Sequence, residues 1–318
     1  MLSLLMFSCV DPKSPLTEGE ENDSPTAIES SDDTSEDVDP LQDTANPDDS
    51  SDPQDTGEPQ ENEIEVCYLG PNQDHQVCFN TIEWSADLGS DYLYPEPYQG
   101  SDQYAAPIRF LDLQSLSEDS ALAPNFVLGE VMQLFKGRYA LFMPHVIEKL
   151  QRIREDIDGP LFINSGYRNV TYNASVGGVE HSRHIYGDAV DIDSSVASLE
   201  ELQASCIARG ATFTSVYESH VHCDWRAHEL EPSFYDSVLE KRPHPIPHPE
   251  ASIVSTPDGF TAPATGFDEG EPMRRWHSYD RGGQYLETHV GSSFVPSTQS
   301  ARITVDIGGI IERELRLE

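Results

Sequence analysis

NSGYRNVTYNASVGGVEHSRHIYGDAVDID, residues 164–193, and VYESHVHCDWR, residues 216–226, concentrate histidines, acids and glycines within one part of a 318-residue chain. Six residues separate His184 from Asp191, and His222 closes the triplet His220-Val221-His222 about thirty residues further on. Two imidazoles and one carboxylate form a common ligand set for catalytic zinc, which keeps a fourth position open for water. The spacing predicts that His184, Asp191 and His222 meet.

Alternation carries the geometric part of that expectation. Ala189-Val190-Asp191-Ile192-Asp193 reads as a half-buried strand, with Asp191 and Asp193 on one face and Val190 and Ile192 on the other. The run from His220 to Trp225 alternates likewise, grouping His220, His222 and Asp224 and sending Val221, Cys223 and Trp225 to the opposite layer. Gly187 stands between His184 and the Asp191 strand, where a sharp turn must carry a loop histidine over a strand carboxylate. Outside these motifs, His181, His228, His244 and His248 read as ordinary surface or core histidines.

SGYR (Ser165–Arg168), SRHIYGDAVD (Ser182–Asp191) and HVHCD (His220–Asp224) together resemble the zinc D-Ala-D-Ala carboxypeptidases and related peptidoglycan peptidases, which share their fold with the zinc-binding hedgehog signalling domain. The resemblance covers roughly residues 121–231, about a third of the chain. It implies zinc held by His184, Asp191 and His222, and Arg168 as the clamp on substrate and transition state. Some members place a catalytic base as Glu in E-x-x-H, whereas Ser219 stands three residues before His222 here. His220, on the face of His222, is then the first candidate base and Glu218 the second.

The rest of the chain frames this region. A hydrophobic content of 37% is thin for a fully globular protein of this length, so part of the chain is expected to stay unfolded. A net charge of -38 with only 19 Lys and Arg argues against nucleic acid as a partner. Residues 1–9, MLSLLMFSC, resemble the end of a lipoprotein signal, with Cys9 as the lipid acceptor, although a basic n-region is missing. Residues 1–66 hold 20 acids against Lys13 alone, half of the total net charge, and the stretch after Cys9 reads as a disordered acidic tether.

Five cysteines fit an exported protein. Cys67 and Cys78 flank a ten-residue loop that a disulfide can close, and Cys223 faces the layer where the helix carrying Cys206 should pack, as a bridge or as a buried thiol pair. Aromatic residues between 79 and 120 wrap the domain or line a substrate groove. Pro144 suits a first helical turn, and Val146, Leu150, Ile153 and Ile157 recur at helical spacing until Gly159-Pro160. Leu161-Phe162-Ile163 reads as a strand delivering SGYR, and Ser198 with Glu201 forms a capping box for a helix towards Gly210.

The expected fold is α+β: a small antiparallel sheet flanked by helices and carrying a zinc site, with the acidic N-terminal tether and a small C-terminal β module. The divisions are 1–66 for the lipoprotein-like start and linker, 67–120 for the Cys-stapled aromatic extension, and 121–231 for the zinc peptidase domain. A Pro-rich connector, 232–250, leads to the β module, 251–318, read as a packing appendage or a cell-wall docking element. The expected function is hydrolysis of peptidoglycan stem peptides at the cell envelope, with membrane contact only through Cys9. The alternative is a catalytically inactive, hedgehog-like zinc-stabilised binding module at the cell surface, which has no need of Arg168 or His220.

Overall fold

Pro144 opens a helix, α1 (Pro144–Ile157), whose buried face carries Val146, Ile147, Leu150 and Ile153. Asp158, in the left-handed region at φ 48, ends it ahead of Gly159-Pro160. This is the helix the sequence spacing predicts. The computed structural model describes residues 64–72, 76–235, 248–268 and 270–317, all within one compact unit, Glu58–Glu318. Cys9, expected as a lipid acceptor, nearly all of the expected acidic tether and most of the Pro-rich connector lie outside the described residues. No described helix is long and apolar enough to cross a membrane.

After α1 come β1 (Leu161–Ser165) and β2 (Ala189–Ser194), then α2 (Leu199–Ala208), β3 (Phe213–Val216) and β4 (Val221–Asp224). The four strands form an antiparallel sheet in the order β3-β4-β2-β1. Register places His222 opposite Asp191 and, on the other flank of β2, Ser165 opposite Asp191, just past an irregularity in β1. Val190, Ile192, Val221, Cys223 and Trp225 turn to the far layer, where they join Leu150, Ile153 and Leu202 in the main core. Ser198 and Glu201 form the expected capping box on α2, and Cys206 of that helix is bridged to Cys223 of β4.

The residues before α1 share this core. Val66, Tyr68 and Phe79 pack into it from a hairpin in which Cys67 and Cys78 are directly paired and disulfide-bonded. The Tyr68 hydroxyl donates to the Phe142 carbonyl at 2.8 Å. Towards the C-terminus a second core gathers Phe267, Trp276, Phe294, Ile303, Val305, Ile307 and Ile311. It sits on a four-stranded antiparallel sheet that includes β5 (Arg274–Tyr279), β6 (Tyr285–Val290), β7 (Arg302–Ile307) and β8 (Ile311–Arg316). This β module meets the edge of β3, where Val216 N–H donates to the Gly308 carbonyl at 2.8 Å and Met273 N–H to the Val216 carbonyl at 3.0 Å.

The Cys206–Cys223 bridge closes a short loop between helix and sheet, at a sequence separation of 17. Replacing both cysteines by alanine should lower the free energy of unfolding by roughly 3 kcal/mol, the scale for a loop of this size. Urea denaturation of the double variant and the wild type, both without reductant, measures the difference.

Candidate metal centre

The loop before β2 makes a 3-10 turn over Arg183–Tyr186 and then reverses at Gly187, whose φ is 73. A Cβ at Gly187 would stand 2.6 Å from the Leu141 carbonyl oxygen, so both the backbone angle and the space call for glycine. The reversal hangs His184 over β2. His184 Nε2 lies 3.1 Å from Asp191 Oδ1 and 3.2 Å from His222 Nδ1, and His222 Nδ1 lies 3.0 Å from Asp191 Oδ1. All three side chains are buried. Two donors bound tetrahedrally to one zinc ion at 2.0–2.1 Å lie about 3.3 Å apart, so the residues present fit such an ion.

The outward atoms of both rings are committed elsewhere, which fixes their tautomers. His184 Nδ1–H donates to the Gly166 carbonyl at 2.7 Å, leaving Nε2 as the free acceptor. A Cβ at Gly166 would collide with the Val131 carbonyl oxygen at 2.2 Å, which explains the glycine of SGYR. His222 Nε2 faces away from the cluster, 3.2 Å from Asp224 Oδ2 and 3.4 Å from Asp268 Oδ2. His184, His222 and Asp268 also present atoms within 4.8 Å of one another. The Asp191 set is tighter, and Asp268 lies against Nε2 behind the His222 ring, so Asp191 is the better third donor.

Burial alone would raise the Asp191 carboxyl, but His184 and His222 outweigh it and hold the group well below the usual carboxylate range. Asp224 is likewise raised by burial and lowered further by Arg226, which grips both of its oxygens, and by His222. His222 is lowered by burial yet raised well above its ordinary value by Asp268, Asp191 and Asp224. Asp268 itself accepts from Ser182 Oγ at 3.0 Å and from Arg183 N–H at 3.2 Å. Sequence reasoning missed it, because no spacing or alternation ties residue 268 to the histidine motifs.

A cleft of about 350 Å³ opens beside this cluster, lined in part by Lys136, Ser165, Arg168, Tyr172, Asp191 and His220. Arg168 pairs with Asp191 Oδ2 and donates from Nε to Ser165 Oγ at 2.8 Å. Lys136, a second residue missed in the sequence, donates to the same Oγ at 2.9 Å. His220 Nε2 lies 3.8 Å from Asp191 Oδ1, and its ring stacks on Tyr217 with centroids 4.8 Å apart. Glu218 is exposed and does not line the cleft. Tyr94, Tyr98 and Tyr104 pack on Ile185 and Tyr186 instead, with the Tyr94 hydroxyl donating to the Ile185 carbonyl at 2.6 Å. These aromatics brace the His184 turn.

Residues 124–224 match the family described as Peptidase M15. This segment is similar to the M15 peptidases. It contains His184, Asp191 and His222 but not Asp268. Over 102 residues the chain is 31% identical to the zinc D-Ala-D-Ala carboxypeptidase of Streptomyces albus G, an alignment covering 29% of this chain. The chain spans 40% of the length of that relative.

Within the matched segment, Arg183 lies against the rings of Tyr104 and Tyr186, its charge centre 4.8 and 4.5 Å from their centroids, and grips both oxygens of buried Asp188. Asp188→Ala should destabilise the protein by about 3–5 kcal/mol, because it strands a buried cation. The combination Arg183→Met/Asp188→Leu should recover part of that loss, as measured by the urea midpoints.

Proposed function

We propose that the chain is a zinc-dependent peptidase acting on peptidoglycan stem peptides at the cell envelope. The observation that carries this reading is the donor triad His184 Nε2, Asp191 Oδ1 and His222 Nδ1, mutually 3.0–3.2 Å apart, with Asp191 lining a cleft that holds Arg168 and His220. Zinc bound there would act as a Lewis acid on the scissile carbonyl and lower the pKa of its water to about 7.

The chain's own groups complete the chemistry. His220 Nε2, at the mouth of the triad, takes the proton of the attacking water and returns it to the leaving amine. Arg168 steadies the oxyanion that grows on the carbonyl oxygen. Lys136 and Arg168 fill both acceptor positions of Ser165 Oγ, which directs the serine proton elsewhere as a further donor. A lysine, an arginine and a hydroxyl on one cleft wall suit the free carboxylate of a peptide C-terminus. That favours a carboxypeptidase over an endopeptidase. The exposure of Glu218 favours His220 as the base.

The metal assignment predicts one zinc per chain in the wild type and its loss in His184→Ala, Asp191→Ala and His222→Ala. Elemental analysis after dialysis checks this, and full zinc in any of the three variants refutes the ligand set. Chelation should abolish cleavage of defined muropeptides, and zinc should restore it.

His220→Ala should keep its zinc and lose on the order of 100-fold or more in kcat. If Glu218→Gln is crippled while His220→Ala turns over normally, the base is Glu218. Arg168→Lys should also keep zinc while kcat/KM falls about 10²–10³-fold, since an ammonium cannot reproduce the guanidinium fork. No cleavage by zinc-loaded wild type across a broad muropeptide panel would leave a zinc-stabilised binding module.

A further inference from the structure

Behind His222 the protein buries two carboxylates, Asp224 and Asp268, at 0% and 4% exposure. Buried carboxylates are costly unless a counter-charge sits close by. Arg226 grips both oxygens of Asp224. Its distance to Asp268 is 3.7 Å. The other buried guanidinium near this point, Arg183, is held by both oxygens of Asp188. Asp224, Asp268 and Arg226 thus leave an excess of one negative charge on the rear of the His222 ring.

The oxygen that faces His222 Nε2 at 3.4 Å, Asp268 Oδ2, is also the acceptor for Ser182 Oγ and Arg183 N–H. Two turns therefore fix its position: the loop of His184 and the segment that carries Asp268. Backbone contacts seat that segment, with Val179 N–H donating to the Asp268 carbonyl at 3.2 Å. Residue 268 lies outside the 124–224 match, in the chain leading to β5.

We infer that Asp268 is a positioning residue for His222, through which the C-terminal β module completes the metal centre and metal binding is coupled to the seating of that module. This rests on the triad reading above. Asp268 holds the Nε2–H tautomer and strengthens Nδ1 as a donor, the work that carboxylates do behind metal-bound histidines. The coupling is reciprocal: a cation at the triad offsets the rear charge, so the segment carrying Asp268 sits more firmly when metal is bound.

Asp268→Asn separates charge from packing, because an amide oxygen at the Oδ2 position still accepts from Ser182 and Arg183. The full chain is titrated with zinc against a competing chelator, and hydrogen exchange is followed at the Val216, Met273 and Gly308 amides, which join the module to β3 or lie at that junction. Asp268→Asn is expected to bind zinc about 10-fold more weakly and Asp268→Ala up to about 100-fold more weakly. In the wild type, zinc is expected to slow exchange at the three amides; in Asp268→Asn that slowing should be lost while apo-protein exchange stays as in the wild type. Equal zinc affinity in the wild type and Asp268→Asn overturns this inference alone, as does zinc-independent exchange in the wild type. A wild type that binds no zinc overturns the triad reading and this inference with it.

Discussion

Asp191 and His222 stand directly opposite each other on neighbouring antiparallel strands, and the rest of the site is arranged to make that pairing tolerable in a dry interior. A carboxylate oxygen 3.0 Å from an imidazole nitrogen, both out of water, needs every remaining polar atom satisfied. Arg168 takes the second oxygen of Asp191, Asp224 and Asp268 take the far nitrogen of His222, and Gly166 takes that of His184. The turn at Gly187 then brings the third donor in from above, and the tyrosines of the N-terminal extension hold that turn from outside.

Three buried guanidinium–carboxylate pairs, Arg168–Asp191, Arg183–Asp188 and Arg226–Asp224, contribute more to geometry than to stability. Desolvating two charges commonly cancels their attraction, so hydrophobic replacements of such pairs are often neutral or better. A planar two-point grip nevertheless fixes direction. Each of these pairs orients a group within a residue or two of the donor triad, where a shift of half an ångström would matter. The packing energy comes from elsewhere, chiefly from α1 and the far face of the sheet, where Val146, Leu150, Ile153, Val190, Ile192, Val221 and Trp225 are fully buried.

What the sequence made legible is what repeats locally. Strand alternation at 189–193 and 220–225 placed Asp191, His222 and His220 on one side and Val190, Cys223 and Trp225 on the other, as the sheet does. Pro144, the Ser198/Glu201 box and Gly187 announced element ends because each serves a backbone requirement that adjacent residues reveal. Of the two options for Cys206 and Cys223, the structure has the bridge. Lys136 and Asp268 were invisible for the opposite reason. Each reaches the site through a fold contact, 29 residues from Ser165 in one case and 46 from His222 in the other, and neither position carries a period or cap that betrays its direction.

The net charge of the chain and the basic side chains of the cleft are opposite in sign. The net charge is -38, half of it in residues 1–66, while Lys136 and Arg168 line the cleft. Exposed charges further away than about 8 Å are largely screened at physiological salt, whereas buried or half-buried ones are not. On the peptidase reading proposed above, a peptide carboxylate at Ser165 would meet two cations at contact range. Because Arg168 is also paired to Asp191, the proposed grip on a carboxylate and the orientation of the donor triad share one guanidinium. On that reading substrate binding and the geometry of the donors are tied through a single side chain, and Lys136 shares Ser165 Oγ with it.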